Sequence, residues 1–148
     1  MDNKEKQILV TIITLIVIFA GYALYVYQKH IEPDISILNN FQFWGKTFLI
    51  FIPVAIVSQI IIHIVFAIIN KIVTNEDMPT INDERDKLIE LKSIRISHWI
   101  FTFGFLLSMV TLVLEMPPYV MFITLITSGF ISGIVSEIAK LYFYRKGF

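Results

Sequence analysis

Residues 47–69 read TFLIFIPVAIVSQIIIHIVFAII, a run that contains no Asp, Glu, Lys or Arg. An α-helix rises about 1.5 Å per residue, so a run of this length can cross the roughly 30 Å hydrocarbon core of a bilayer. Pro53 falls in the first turns of the run, where the loss of one backbone donor costs least. The stretch therefore predicts a membrane-spanning helix.

Three more stretches of about 18 or more residues contain few or no charged side chains, at residues 8–27, 96–114 and 119–138. Over the whole chain 56% of the residues are apolar and the mean hydropathy is +0.73, which is above the range of a water-soluble globule. We expect the first stretch to be retained, because its uncharged run is longer than a signal-peptide core. The sequence predicts an all-α integral membrane protein, with four transmembrane helices in an antiparallel bundle and one domain over residues 1–148.

Two short connections are expected on one side of the membrane. The first, residues 28–42, contains three residues whose turn chemistry ends a helix: Glu32, Pro33 and Asp34. Aromatic side chains then stand where an interfacial belt belongs: Phe41, Phe43 and Trp44. The second connection is a tight turn at Glu115-Met116-Pro117-Pro118.

The other connection, residues 70–97, is the only sizeable polar segment of the chain. Within it Pro79 and Thr80 precede Asp83, a pattern typical of a helix start. No helix breaker separates this segment from the third span. We therefore expect a helix over residues 81–96 that continues into the span, so that the third helix extends into the cytoplasm.

The distribution of positive charge sets the expected orientation. Only Lys29 and Lys46 lie on the side of the two short connections. The other side holds ten positive residues: Lys4, Lys6, Lys71, Arg85, Lys87, Lys92, Arg95, Lys140, Arg145 and Lys146. Because cytoplasmic segments carry the excess of Lys and Arg, both termini are predicted to be cytoplasmic.

The fourth span carries small residues at helical spacing: Ser128, Gly129, Ser132, Gly133 and Ser136. Small side chains on one face let another helix approach closely in lipid. Packing within the bundle, a homo-oligomeric interface and the lining of a pore or substrate path all fit this pattern.

Three polar residues are candidates for burial at membrane depth: Gln59, His63 and Glu137. Intramembrane polar groups face the protein interior and find hydrogen-bond partners, and ionisable ones are candidates for function. For His63 a ligand-sensing or proton-relay role stands beside a purely structural one. Glu137 is expected to be solvated or paired, and Arg95 or Lys92 can reach it across the bundle.

The polar helix carries charged candidates for contact with a cytoplasmic partner: Asp83, Glu84, Arg85, Lys92 and Arg95. Apolar side chains lie between these charged residues and give the same helix an apolar surface as well: Leu88, Ile89, Leu91 and Ile94. These are expected to dock against the bundle or against the partner. Asp86, Glu90 and His98 are too widely spaced to favour a metal site over an ordinary charged face.

Several function classes are disfavoured. The chain has no cysteine, no HExxH, no GxSxG and no phosphate-binding glycine loop, and its soluble segment is too short for a catalytic domain. The formal net charge is zero, so direct nucleic-acid binding is not indicated. We expect a protein that is not an enzyme and that uses no cofactor or metal.

The residues that open the polar helix and close the chain resemble a known pattern: Asp83-Glu84-Arg85, Lys92, Ser93 and Ser97, then Tyr142, Tyr144, Arg145, Lys146 and Gly147. Over residues 80–148 the chain resembles the small archaeal and bacterial membrane proteins of domain-of-unknown-function family 2178. The resemblance implies a multi-pass protein of a prokaryotic plasma membrane. It also implies a sensing or regulator-tethering role, since such proteins are often encoded beside helix-turn-helix regulators, and it implies no catalytic residues.

These observations together favour a non-enzymatic membrane sensor or accessory subunit that presents its charged cytoplasmic helix to a partner protein. One alternative is an oligomeric channel or transporter component, since the small-residue face with Gln59 and His63 can line a path between subunits. Another is an immunity or stress-response membrane protein.

Overall fold

The computed structural model describes residues 3–74 and 84–146. In these residues the chain forms four long helices: α1 (Asn3–Val26), α2 (Phe41–Thr74), α3 (Glu84–Val113) and α4 (Pro118–Lys146). Each is long and apolar enough to cross a membrane. No strand occurs within the described ranges, so the all-α class is confirmed for that part of the chain.

The helices extend beyond the predicted spans at the end that holds both termini. The helix predicted over residues 81–96 is continuous with the third span from Glu84 onward, as expected. Its predicted start at Pro79 and Thr80, with Asp83, lies outside the described residues. α4 continues to Lys146, so α3 does not extend alone.

Pro53 lies deeper in its helix than predicted. α2 begins at Phe41, because the Asn40 side chain accepts hydrogen bonds from the free N–H groups of Gln42 (3.0 Å) and Phe43 (3.2 Å). Pro53 therefore stands in about the fourth turn rather than the first turns, and the helix runs through it.

α4 and α1 are the centre of the packing. α3 lies along α4, α4 contacts α1, and α1 contacts α2, while α2 and α4 approach each other over a much shorter length. Neighbours in this order are antiparallel, since two contacts along each pair run in opposite directions. Gly104 and Asp86 of α3 meet Ser128 and Tyr144 of α4. Phe19 and Lys4 of α1 meet Phe130 and Tyr144 of α4, and Tyr22 and Thr11 of α1 meet Thr47 and His63 of α2. Among the described residues the backbones of α2 and α3 do not approach each other. The four-helix bundle as a whole stays a prediction.

The first connection is built from capped turns. Helical structure ends at Ile31, and a short 3₁₀ helix follows over Ile35–Asn39. Asp34 caps it by accepting from the Ser36 backbone N–H at 3.0 Å. The expected helix end at residues 32–34 is thereby confirmed.

Trp44 does not face outward as a belt residue does. It is only 4% exposed, stacks on Phe122 of α4 at 6.0 Å, and donates from Nε1 to the Leu38 carbonyl at 2.9 Å. Because its N–H finds a backbone acceptor, the indole can be buried at little cost. Phe41, which also lies near the Phe122 ring, is 61% exposed.

The turn between α3 and α4 is tight, as predicted. The Met116 N–H donates to the Thr111 carbonyl and the Glu115 N–H to the Leu112 carbonyl, both at 3.1 Å. These two hydrogen bonds form a Schellman motif, in which the residue after the helix end adopts a left-handed conformation and is usually glycine. Here Glu115 adopts the left-handed conformation, with φ 56°, and Pro118 then opens α4.

Candidate functional site

Asp86, in the first turn of α3, is buried, with 4% of its surface exposed. The Lys4 ammonium of α1 donates to its Oδ2, and the Tyr144 hydroxyl of α4 donates to its Oδ1 at 2.9 Å. Beside this cluster Arg145 pairs with Glu5 at 3.6 Å. We call Lys4, Asp86 and Tyr144 the Asp86 anchor, because one carboxylate ties α3 to both α1 and α4.

The two acidic groups of the anchor have shifted pKa values. Burial alone raises the pKa of Asp86, but the hydrogen bonds from Lys4 and Tyr144 outweigh burial and hold it below its ordinary value. Burial, reinforced by donation to the Asp86 carboxylate, raises the pKa of Tyr144 to about 12. At neutral pH the Asp86 side chain is therefore a carboxylate and the Tyr144 side chain is a neutral phenol.

Helical spacing explains why Asp86 faces inward. The buried residues of α3 recur at intervals of three, four and eleven, which are close to one or three whole helical turns and place them on one side of the helix: Asp86, Ile89, Ser93, Gly104 and Ser108. Ser93 and Ser108 have no exposed surface, and each hydroxyl donates to a carbonyl of its own helix. A narrow stripe of small or hydrogen-bonded side chains thus lets α3 lie close to α4.

The opposite side of the first turns of α3 is exposed and carries both apolar and charged side chains. We call it the outer face. Its apolar members are Leu88, Leu91 and Ile94, with 47%, 64% and 52% of their surfaces exposed. The predicted partner residues on this segment, except Asp83, which lies outside the described residues, are exposed as well: Glu84, Arg85, Lys92 and Arg95.

His63 of α2 faces α1, and Gln59 stands one helical turn before it. His63 Nε2 lies 3.2 Å from the Thr11 hydroxyl, which also donates to the Gln7 carbonyl at 3.0 Å. Because that donation uses the single proton of the hydroxyl, the geometry favours the tautomer in which Nε2 donates to Thr11. His63 Nδ1 and Gln59 Nε2 are then buried without a hydrogen-bond partner among the described residues.

Glu137 forms its ion pair within α4 rather than across the molecule. Its Oε1 accepts from the Lys140 ammonium at 2.7 Å, one turn further along the helix. Arg95, a predicted partner, is on the exposed outer face of α3. The second predicted partner, Lys92, places its ammonium 5.9 Å from the Phe143 ring centroid.

These polar groups border a common cavity of about 310 Å³ between α1, α2 and α4. Eight residues line it: Lys4, Gln7, Ile8, Thr11, His63, Glu137, Lys140 and Tyr144. We call it the polar cavity. It brings His63 and Glu137, two of the predicted buried polar residues, to one place, and Lys4 and Tyr144 connect it to the Asp86 anchor.

Part of the small-residue face of α4 is used against α3. A Cβ added to Gly104 would come within 2.2 Å of the Ser128 Oγ, so the two helices touch at this point, and Ser132 is buried as well. The hydroxyls of Ser128 and Ser132 donate to the carbonyls of Thr124 and Gly129 in their own helix. The contact therefore depends on small size and dispersion rather than on hydrogen bonds between helices.

The rest of that face is less closely covered. A Cβ on Gly129 would meet only Phe101, at 3.8 Å, and one on Gly133 would meet nothing within 4 Å. Both glycines line a second cavity of about 360 Å³, which is almost wholly apolar. Ser136, one turn nearer the polar cavity, is partly exposed.

The Asp86 anchor is what sequence reasoning missed. Asp86 and Tyr144 stand in segments that sequence analysis singles out, but nothing in the sequence pairs them with each other or with Lys4. The available signal was periodic: Asp86, Ile89, Ser93 and Ser97 recur at intervals of three and four. A carboxylate that begins such a stripe is a candidate for a buried, paired group.

In residues 3–74 and 84–146 no three His, Cys, Asp or Glu side chains are grouped so as to hold a metal ion. The chain matches no family model, and neither a curated protein nor a solved structure is significantly similar to it. The resemblance to domain-of-unknown-function family 2178 therefore stays a prediction.

Proposed function

We propose that this protein is a non-enzymatic sensor or accessory subunit of the cell membrane that presents the outer face of α3 to a cytoplasmic partner protein. The observation that carries the proposal is that one side of the first turns of α3 is buried and the other side is exposed. Asp86, Ile89 and Ser93 fix one side of the helix, while Leu88 and Leu91 are exposed on the other. A rigidly held helix with exposed apolar residues is suited to helix-in-groove recognition.

The charge of the outer face indicates the partner's character. Four exposed basic side chains accompany its apolar residues, Arg85, Lys87, Lys92 and Arg95, against the acidic Glu84 and Glu90. Among the described residues of this segment the third acid, Asp86, is already paired with Lys4. An acidic surface around an apolar groove would complement this pattern.

Site-specific photocrosslinking tests the proposal. A photoreactive amino acid at Leu91 should capture a discrete heterologous protein in native membranes, and the Arg95→Glu change should abolish the crosslink. The matched control is Val113, which is 80% exposed at the opposite end of the same helix and should capture no such protein. If Leu91 captures nothing, or captures the same bands as Val113, the partner surface is wrong.

The proposal needs the outer face in the cytoplasm, which the asymmetry of Lys and Arg supports. Since the chain has no cysteine, single-cysteine variants report on topology without background. In intact cells a membrane-impermeant maleimide should label Ile35→Cys, which is in the exposed first connection, and should reach Lys146→Cys only after lysis. The opposite labelling pattern would place the outer face outside the cell.

The channel alternative receives less support. Ser128 and Ser132 of the small-residue face pack within the chain, against α3, rather than being left for a second copy. A stable oligomer in nanodiscs that disappears in Gly133→Leu would revive that alternative. The immunity or stress-response alternative shares the partner surface and the same crosslinking expectation.

A further inference from the structure

The polar and apolar cavities follow one another along the same three helices, and we call the two together the cleft. Both lie between α2 and α4 with α1 as the floor, where α2 and α4 have little contact with each other. Leu15 and Gly133 of the apolar cavity stand one helical turn from Thr11 and Glu137 of the polar cavity. The cleft therefore has a polar end near the termini and an apolar end deeper in the helices.

Its dimensions match one leaflet of a bilayer. On α4 the apolar lining is centred near Gly129 and the polar lining near Lys140, a separation of about 16 Å at the helical rise. Half of the hydrocarbon core is about 15 Å thick. On α1 and α4 the polar end lies at the ends of the predicted spans, at residues 8 and 138, and on α2 its lining residue, His63, lies about 9 Å inside the predicted end at residue 69. The span ends mark the depth at which the phosphate and glycerol groups of a lipid begin.

The polar end complements a zwitterionic headgroup. The ammonium groups of Lys4 and Lys140 border it, and each has N–H donors beyond the one that is bonded to Asp86 or Glu137. A phosphate can accept from these donors. The Glu137 carboxylate and the buried Nδ1 of His63 are acceptors, which suit a headgroup that carries its own N–H donors.

The apolar end is shaped by a missing side chain. Gly133 stands inside a helix, where glycine costs about 1 kcal/mol relative to alanine, yet apart from its chain neighbours and its own helix backbone no protein atom lies within 4 Å of the place of its Cβ. Close packing of protein on protein does not explain this glycine. The space it leaves belongs to the cleft, beside Leu15, Phe51 and Ala55.

We propose that the cleft binds one phospholipid whose headgroup donates hydrogen bonds, of the phosphatidylethanolamine type. Its phosphate lies between Lys4 and Lys140, its ammonium faces Glu137 and His63, and an acyl chain runs over Gly133 toward Phe51. This site does not depend on the proposed partner of the outer face.

Native mass spectrometry of the full chain, released from mild detergent after titration with defined lipids, tests the site. Phosphatidylethanolamine should bind at one molecule per chain, roughly tenfold more tightly than phosphatidylcholine with the same acyl chains, whose headgroup has no N–H donor. Lys140→Gln should weaken binding of phosphatidylethanolamine by about tenfold through the loss of a charge-assisted hydrogen bond.

Gly133→Leu fills the apolar end and should reduce binding by about tenfold or more, since the acyl chain loses its buried contacts. Gly21→Leu is the matched control: this glycine also meets no atom within 4 Å, but it lies outside the cleft, and the variant should bind like the unaltered chain. Gly133→Ala, with an intermediate loss and an unchanged melting temperature, separates blocked binding from misfolding.

Three results would overturn the proposal. Equal affinity of the Gly133→Leu and Gly21→Leu variants would mean that the retained lipid is only annular. Inorganic phosphate at millimolar concentration that competes fully with the lipid would mean a free-anion site without an acyl-chain subsite. Equal affinity for phosphatidylethanolamine and phosphatidylcholine would mean that Glu137 and His63 do not accept hydrogen bonds from the headgroup.

Discussion

α2 and α3 are both long enough to cross a membrane, but they are held in different ways. α2 is the more apolar, and its exposed residues include Leu49, Ile61 and Val73. α3 carries more polar residues, and it packs more closely, through Gly104, Ser108 and the buried Asp86. In a bilayer, moving an apolar side chain from lipid to a neighbouring helix contributes little free energy, because both surroundings are apolar. Small and hydrogen-bonded residues instead allow the helices to pack closely. Hydrophobicity thus makes α2 apolar enough to cross a membrane without fixing it to its neighbours.

The strongest test of this contrast is Gly104→Leu. The added side chain would start 2.2 Å from the Ser128 Oγ and 2.3 Å from its Cβ, so α3 must move away from α4. Overpacking of this kind costs up to about 3 kcal/mol, and we expect a large fall in the apparent melting temperature in detergent. Gly45→Leu in α2, whose Cβ meets nothing within 4 Å, should leave the melting temperature nearly unchanged. Equal losses in the two variants would contradict the contrast.

Removing the charge of the anchor should have the next largest effect. Asp86→Asn replaces the carboxylate that accepts from Lys4 and Tyr144, at a cost of about 2 kcal/mol for charge-assisted hydrogen bonds. Glu84→Gln, an exposed neighbour, is the control and should change stability little.

The anchor also predicts a dependence on acid. Because the folded pKa of Asp86 is lowered, its contribution is complete above the ordinary value of 3.8 and is lost as pH falls through the folded pKa. The stability difference between the unaltered chain and Asp86→Asn should therefore be constant from pH 7 to pH 5 and shrink below about pH 4. A difference that did not change in acid would mean that Asp86 is not ionised in the fold.

A smaller loss is expected where α2 meets α1. Thr11→Val removes the acceptor of the His63 Nε2 proton, a neutral hydrogen bond that contributes about 1 kcal/mol. Thr127→Val is the matched control, since that hydroxyl donates to the Ile123 carbonyl of its own helix. Thermal unfolding should rank Thr11→Val below Thr127→Val in stability; the reverse order would mean that α2 is held by contacts other than this bond.

The smallest effect should be a gain. Glu115 ends α3 in the left-handed conformation, which costs a side chain about 1 kcal/mol and costs glycine nothing. Glu115→Gly should therefore raise the melting temperature slightly. Met116→Gly, at the next position, relieves no such strain and should not raise it.

The sequence predicts the parts of the fold that depend on local chemistry. Apolar runs identify the four helices, and Asp34 and Pro118 stand where turn chemistry predicts a break. Which side of each helix meets which neighbour depends on contacts between distant residues, so the inward position of Trp44 and the pairing of Gly104 with Ser128 were not predictable. The left-handed Glu115 also escapes prediction, since glycine is usual at that position.

In the candidate site, too, local features could be predicted from the sequence and contacts between distant residues could not. The amphipathic character of the outer face follows from the order of residues such as Leu88 and Lys92 along one helix. The anchor and the cleft instead need α1, α2 and α4 brought together, and no periodicity within one helix reports that.

The Asp86 anchor joins residues that lie 82 and 58 positions apart in the chain. During synthesis Lys4 emerges first, but the carboxylate cannot gain its second partner until Tyr144 has been made. Until then α3 lacks one of the contacts that fix its rotation about its own axis. A binding protein that recognises the outer face in its final orientation would therefore distinguish a fully assembled molecule from a nascent one.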